Sequence, residues 1–431
     1  MAQNHVIQRL TVELNASDEP TARQRQEEVS HWLKSSNFWQ ALSQRLDEAV
    51  PADVVLRIST LQIEVSASNE ADFQTDFIKA LLPQIEQTLR NQGEEVLHKQ
   101  AYLHQTALFF LEYGYLPSAA SHGIASEIHH FLTSQSVDID PIFWHTFRQR
   151  ISRQPQLLRR LIAFLGREQA RKIFCRILHI DTDAPLRWIN SLAESETGSD
   201  IRKKNDAETA VWQELLSNDA EEILKNETSF KDYFKNKDLK NSTGVTSADE
   251  ANPPLNSAND TQKETGLFIG NAGLVLLTPF FSQLFQALGW TENHAWKSPD
   301  FQHQAVRLLD YLAKAPTDSQ EYDWPLNKLL CGVPLETVIE PEPPLTSETL
   351  ETADELLKAV IGYWTVLKNT SAAGLRQLFL QREGRLRQPP GGNDWYLLVA
   401  RKTEDVLLER IPWSFSVIRL PWMESILFVE W

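Results

Sequence analysis

Cysteine and methionine are scarce: the 431-residue chain has two of each, and the cysteines are Cys175 and Cys331. So few cysteines exclude a disulfide-dense secreted scaffold, and their wide separation excludes a paired-cysteine zinc site; a reducing compartment is the simplest expectation. The 16 glycines and 21 prolines are too few for a collagen-like or low-complexity chain. Residues 1–20 show no basic patch followed by an apolar core, so no secretory signal is expected and the protein is expected to start in the cytoplasm. No G-x-S-x-G elbow, HExxH pair, phosphate loop ending in GK[ST] or dinucleotide fingerprint occurs, and Gly270-Asn271-Ala272-Gly273 is too short to count as one. No internal repeat or sustained heptad is visible either. Basic residues are outnumbered, 42 against 58 acids for a net charge of −16, which argues against binding nucleic acid or anionic lipid through the whole molecule.

What is present is a chain long enough to bury a sizeable core, 42% apolar and 23% charged. Its organisation shows in the composition. Residues 191–265 hold 9 basic and 16 acidic side chains among Ser, Asn and Thr, so they read as a polar linker between a module at 1–190 and another at 266–431. Within the linker, the stretch 207–234 places Val211, Leu215, Ile223 and Phe230 so that it can form a helix when partnered, though a marginal one alone.

The N-terminal module alternates in polarity over 5–14 and 53–65, predicting two strands, with helical spacing at 21–47 between them. A β-helix-β unit is expected, followed by helices from 70–92 and through 96–189. Between Arg148 and Arg176 nine basic side chains accompany a single acid, Glu168, beside an apolar stripe of Leu157, Leu158, Leu161 and Leu165. Such a cationic amphipathic helix can dock on an acidic partner, on lipid or on nucleic acid, but without interleaved aromatics a solvated face is the plainer reading. The most apolar run, 266–290, has membrane length; Asn271, Thr278, Pro279 and three further polar residues interrupt it, so a buried helix entered through the loop 270–273 is expected instead of stable membrane insertion. Helices at 300–315, 347–368 and 371–380 and a small terminal sheet through Trp395, Leu397, Val399, Val417, Ile426 and Phe428 complete an α+β, predominantly helical reading.

Candidates for chemistry are few. His122, His129 and His130 are the best metal set, but satisfied or exposed histidines are the expectation, and no metal or cofactor is assigned. Cys175 and His179 have the spacing of a nucleophile and base without an orienting third group, so a structural cysteine is expected. Glu383, Asp405, Glu409 and Glu430 are expected in salt bridges or caps.

The runs NAGLVLLTPFFSQLFQALGW, LNKLLCGVPLE, VIGYWTVLKNTSAAGLRQLFLQREGRL and IPWSFSVIRLPW, with FVEW at the end, resemble the tape measure protein family of contractile injection systems, which are phage-tail-like particles. The resemblance extends over most of 266–431 and, through HVIQRLTVELN and RISTLQIEV, the first 65 residues. It implies a noncatalytic assembly protein that sets or initiates inner-tube length. It also implies inner tube and baseplate hub proteins as partners, a homo-oligomeric state in the particle, and cytoplasmic assembly followed by residence in the tube. The alternative is a particle-associated enzyme such as a cell-wall hydrolase. The candidate interaction surface is Trp364, Asn369, Thr370, Arg376, Arg382, Glu383 and Arg385; against it stands a capped helix, with Thr370 or Ser371 as cap and its arginines solvated or paired locally.

Overall fold

The computed structural model describes residues 5, 7, 11–13, 18–33, 36–56, 58, 70–91, 96–118, 120, 123–133, 141–180, 183–197, 201–218, 220–235, 263, 265–315, 319–340, 344–367 and 369–431. They form an α+β, predominantly helical protein. The chain divides into two compact units, one of residues 1–107 and 119–132 and the other of residues 108–118 and 133–431.

In the first unit, α1 (Glu19–Leu33), α2 (Ser36–Ala49) and α3 (Glu70–Asn91) enclose a small core of Phe38, Leu42, Val50, Leu81 and Ile85. A short strand β1 (Val54–Leu56) pairs antiparallel with β2 (Val96–His98), Val55 opposite Leu97. The expected strand at 5–14 falls mostly outside the described residues, and none of residues 5, 7 and 11–13 is in a strand. Of the strand expected at 53–65, Val54–Leu56 forms, and 57 and 59–65 lie outside the described residues. The helical spacing at 21–47 resolves into two helices. Further along, α4 (Lys99–Tyr113) runs into the second unit, and α5 (Ile124–Thr133) sets Phe131 against His104, ring centroids 5.0 Å apart.

The second unit opens with α6 (Pro141–Ile151), α7 (Gln156–Leu165), α8 (Arg167–Ile177) and α9 (Asp183–Thr197). Leu157, Leu158, Leu161 and Leu165 of α7 are all buried, as their spacing requires, and Gly166, with φ of 78°, breaks α7 from α8. Residues 201–235, compositionally part of the linker, form α10 (Ile201–Ser217), α11 (Ala220–Ile223) and α12 (Glu227–Lys235). The partner that such a sparse apolar stripe needs is supplied by α6 to α9. Val211, Trp212, Leu215, Ile223 and Phe230 are buried, with Trp212 5.3 Å from Phe174 and Phe230 6.0 Å from Trp188 between ring centroids.

The apolar run 266–290 is divided among β3 (Leu267–Ile269), a 3-10 turn (Ala272–Leu277) and α13 (Thr278–Ala287). No helix among the described residues is long and apolar enough to cross a membrane. A Cβ on Gly273 would overlap the backbone carbonyl of Phe379, so the glycine permits this close approach. A short hairpin, β4 (Thr291–Glu292) and β5 (Ala295–Trp296), leads to α14 (Pro299–Lys314), then α15 (Pro325–Leu330), α16 (Ser347–Tyr363) and α17 (Ala372–Leu375), which passes into a π turn at Arg376–Leu380. Ser298 caps α14 by accepting from the Phe301 N–H, and Thr346 caps α16 by accepting from Thr349. The five-stranded sheet has the order β3-β6-β7-β9-β8, with β6 (Gly384–Arg387), β7 (Trp395–Val399), β8 (Val417–Ile418) and β9 (Leu427–Glu430); only β7 and β9 are parallel. Its buried face joins a core rich in aromatic side chains. Indole N–H groups there find carbonyls: Trp413 donates to Leu276, Trp422 to Leu330 and Trp296 to Cys331.

Candidate functional site

Two charge clusters lie inside the second unit. In the first, Arg160 projects from the middle of α7 and is fully buried. Its Nε donates to Glu321 Oε2 at 3.0 Å, Nη1 to the Leu111 carbonyl at 2.5 Å and Nη2 to the Glu336 carbonyl at 2.6 Å. Lys328 Nζ, 1% exposed, donates to Glu321 Oε1 at 2.6 Å and to the Leu335 carbonyl at 2.7 Å. Two buried cations thus share one buried carboxylate, and carbonyl oxygens complete their solvation. Burial lowers the Lys328 pKa, opposed by the charge of Glu321. Gly114, at φ 80°, clears the space: a Cβ there would overlap the Glu321 carboxylate. At the edge, Lys263 Nζ reaches Glu336 Oε1 at 2.7 Å.

The second cluster holds three of the expected surface residues, and it too is interior. Trp364 is fully buried, 4.8 Å from Phe379 between ring centroids, with its indole donating to the Leu407 carbonyl. Arg376 donates to Asp354 Oδ1 at 2.8 Å and to the Leu312 carbonyl, with its guanidinium over the Tyr311 ring. Arg382, also fully buried, donates to Asp405 Oδ1 at 2.5 Å and to the Leu378 carbonyl between the Phe379 and Trp431 rings. Asp405 accepts in addition from the Lys402 N–H and the Trp431 indole. Asn369 and Glu383 are exposed, and Thr370 and Arg385 are half-buried. The cap is Ser371, which accepts from the Gly374 N–H. Trp364, Arg376 and Arg382 therefore share the interior, while the other four lie at or near the surface.

In the cationic stretch Arg160 is buried, Arg148, Arg159, Arg167, Arg171 and Arg176 are half-buried, and Arg150, Arg153 and Lys172 are exposed. Arg171 forms two hydrogen bonds to Glu208, at 2.5 and 2.7 Å, and Trp212 donates a third at 3.1 Å; Arg150 pairs with Glu112 and Lys172 with Glu168. Burial opposes ionisation of Glu208, but the Arg171 hydrogen bonds and charge outweigh it and lower its pKa. Burial pushes the Cys175 thiol up, the wrong direction for an activated nucleophile. His122 lies outside the described residues, and His129 and His130 are exposed. Among the described residues, no three His, Cys, Asp or Glu side chains are grouped to hold a metal ion.

The ion pairs and hydrogen bonds of these clusters join segments far apart in the sequence. Comparison across the chain gives a match to the family described as "Contractile injection system tape measure protein" over residues 4–431. The chain belongs to that family. Comparison with curated proteins and with solved structures gives no match. Membership gives this tape measure family protein a structural role in a contractile injection particle.

The sequence signal for Arg160 lay in QLLRRLIAFL, where one of two adjacent arginines must share the apolar stripe. Glu321 and Lys328 carried no such signal, since Glu321 meets Arg160 across 161 residues and only that meeting brings Lys328, seven residues on from Glu321, into the same cluster.

Proposed function

We propose that this tape measure family protein is a noncatalytic assembly component that initiates or caps the inner tube, working as a folded body with inner tube and baseplate hub proteins. It assembles in the cytoplasm, enters the particle as a homo-oligomer and stays with the tube. The family match across residues 4–431 is the observation that carries the assembly role.

The structure favours initiation over measurement. A ruler draws on contour length, and the whole chain as one helix would reach about 650 Å at roughly 1.5 Å per residue. Extension on that scale gives up the Arg160 network, which reaches from Leu111 to Glu336, together with the aromatic core. The segment 236–262, polar in composition, is the natural tether, and as helix it adds only about 40 Å. We retain a docking surface at Asn369, Thr370, Glu383 and Arg385, with Trp364, Arg376 and Arg382 supporting it from within.

The test is electron microscopy of particles from cells lacking this chain, with and without complementation. Loss of organised full-length tubes, restored by the wild-type chain, is expected. Normal particles in its absence overturn the assembly role, and release of soluble peptidoglycan fragments by the purified chain would favour the hydrolase.

A further inference from the structure

The five-stranded sheet has two unlike faces. Leu267, Ile269, Leu386, Trp395, Leu397, Val399, Ile418 and Leu427 are buried against the core. Alternation along the strands turns the intervening residues the other way. The register places Arg387 opposite Tyr396, Tyr396 opposite Phe428, and Phe428 opposite Val417, making one row across four strands. A second row runs from Arg385 through Leu398 to Glu430. On this outer face Tyr396 is 37% exposed, Leu398 53% and Val417 60%. Contiguous apolar exposure of this kind marks an interaction site more often than scattered single side chains do.

Charge decides what fits there. Among the described residues, Arg385 and Arg387 have no carboxylate within ion-pair distance, whereas Arg160, Arg171, Arg376 and Arg382 each have one. The face carries two arginines against Glu430, a cationic surface on a chain of net charge −16. Two copies meeting face to face would oppose like charges. Nucleic acid needs bare aromatic faces for stacking. Tyr396 is already engaged by Phe428, with rings 5.1 Å apart and 23° from parallel, and by the Arg387 guanidinium 5.7 Å from its centroid. The most exposed members, Leu398 and Val417, are aliphatic.

We propose that this outer sheet face is a docking surface for a segment of another protein that presents aliphatic or aromatic side chains flanked by carboxylates. Leu398, Val417 and Phe428 receive the apolar side chains, and Arg385 and Arg387 pair with the acids. The inference rests on the proposed assembly role, since it names the chemistry of one partner within the particle.

The experiment uses the full chain and, as probe, a synthetic peptide of alternating leucine and glutamate, with a leucine and lysine peptide and oligo-dT as controls. The glutamate peptide is expected to bind, the controls are not, and an Arg385→Glu/Arg387→Glu variant should weaken binding about tenfold or more. Leu398→Asp should do the same while leaving thermal unfolding unchanged, because its side chain is largely in solvent. In cells, the triple variant that combines Arg385→Glu, Arg387→Glu and Leu398→Asp should assemble fewer particles than wild type. Equal binding of both peptides, binding of oligo-dT, or a self-association that the variants abolish would overturn the proposal. So would normal particle yield from the triple variant where deletion of the chain abolishes particles, a combination that leaves the assembly role standing. Normal particles after deletion would instead remove the assembly role itself.

Discussion

Glu321 is the single acid between two buried cations, so its removal is the most damaging change in the Arg160 cluster. Glu321→Gln leaves Arg160 and Lys328 buried without a counter-charge and should destabilise the fold by about 3–5 kcal/mol in urea unfolding. Lys328→Met should cost less, because it leaves a neutral Arg160–Glu321 pair and removes a cation that burial disfavours. The reverse order of the two variants would contradict this electrostatic account. Glu208 gives a separate pH prediction. Its folded pKa is lowered, so its contribution is fully present above its unfolded value of about 4.3 and is lost as pH falls through the folded value. The difference between wild type and Glu208→Gln should be about 1.5–3 kcal/mol at neutral pH and should collapse on acidification below about pH 4. A difference independent of pH would show that the ionised form is not the stabilising one.

At the scale of elements, the contact between the 3-10 turn and the Phe379 carbonyl is the least tolerant of change. Gly273→Ala must push Phe379 or the turn aside and should lower stability by roughly 1–3 kcal/mol, whereas Gly362→Ala, in the exposed end of α16 with open space around it, should not. Equal thermal stability of the two variants would contradict the close approach. A second expectation is protease cleavage within 236–262 before cleavage within α10 to α12, since the buried side chains of Val211, Trp212 and Leu215 protect the latter. Early cuts in 201–217 would contradict the packing.

The same elements show what sequence can carry. Helices α14 and α16 were legible from local pattern, close to the expected 300–315 and 347–368, and the caps Ser298 and Thr346 that the structure shows are local as well. Strand β6 was not, because Gly384-Arg385-Leu386-Arg387 has one apolar side chain and becomes a strand only through neighbours on both sides. The candidate surface was drawn on a segment that carries the family resemblance, and such a segment does not say which side of each residue meets solvent. Arg382 and Arg385 are three residues apart, yet one is sealed between Phe379 and Trp431 while the other lies on the outer sheet face.

For the whole molecule, the compact second unit fits a folded assembly component, whereas a proposed measuring role would need reach along a tube. We propose that the chain acts as a folded initiator, so that tube length does not depend on the length of the polar segment 236–262. The most direct test is the length of particles carrying two deletions and one insertion within 236–262, measured by electron microscopy against wild type. Unchanged, homogeneous tube lengths in all three are the predicted result. A proportional change, about 30 Å for 20 residues as expected of a helical ruler, would contradict initiation and show that this chain measures the tube.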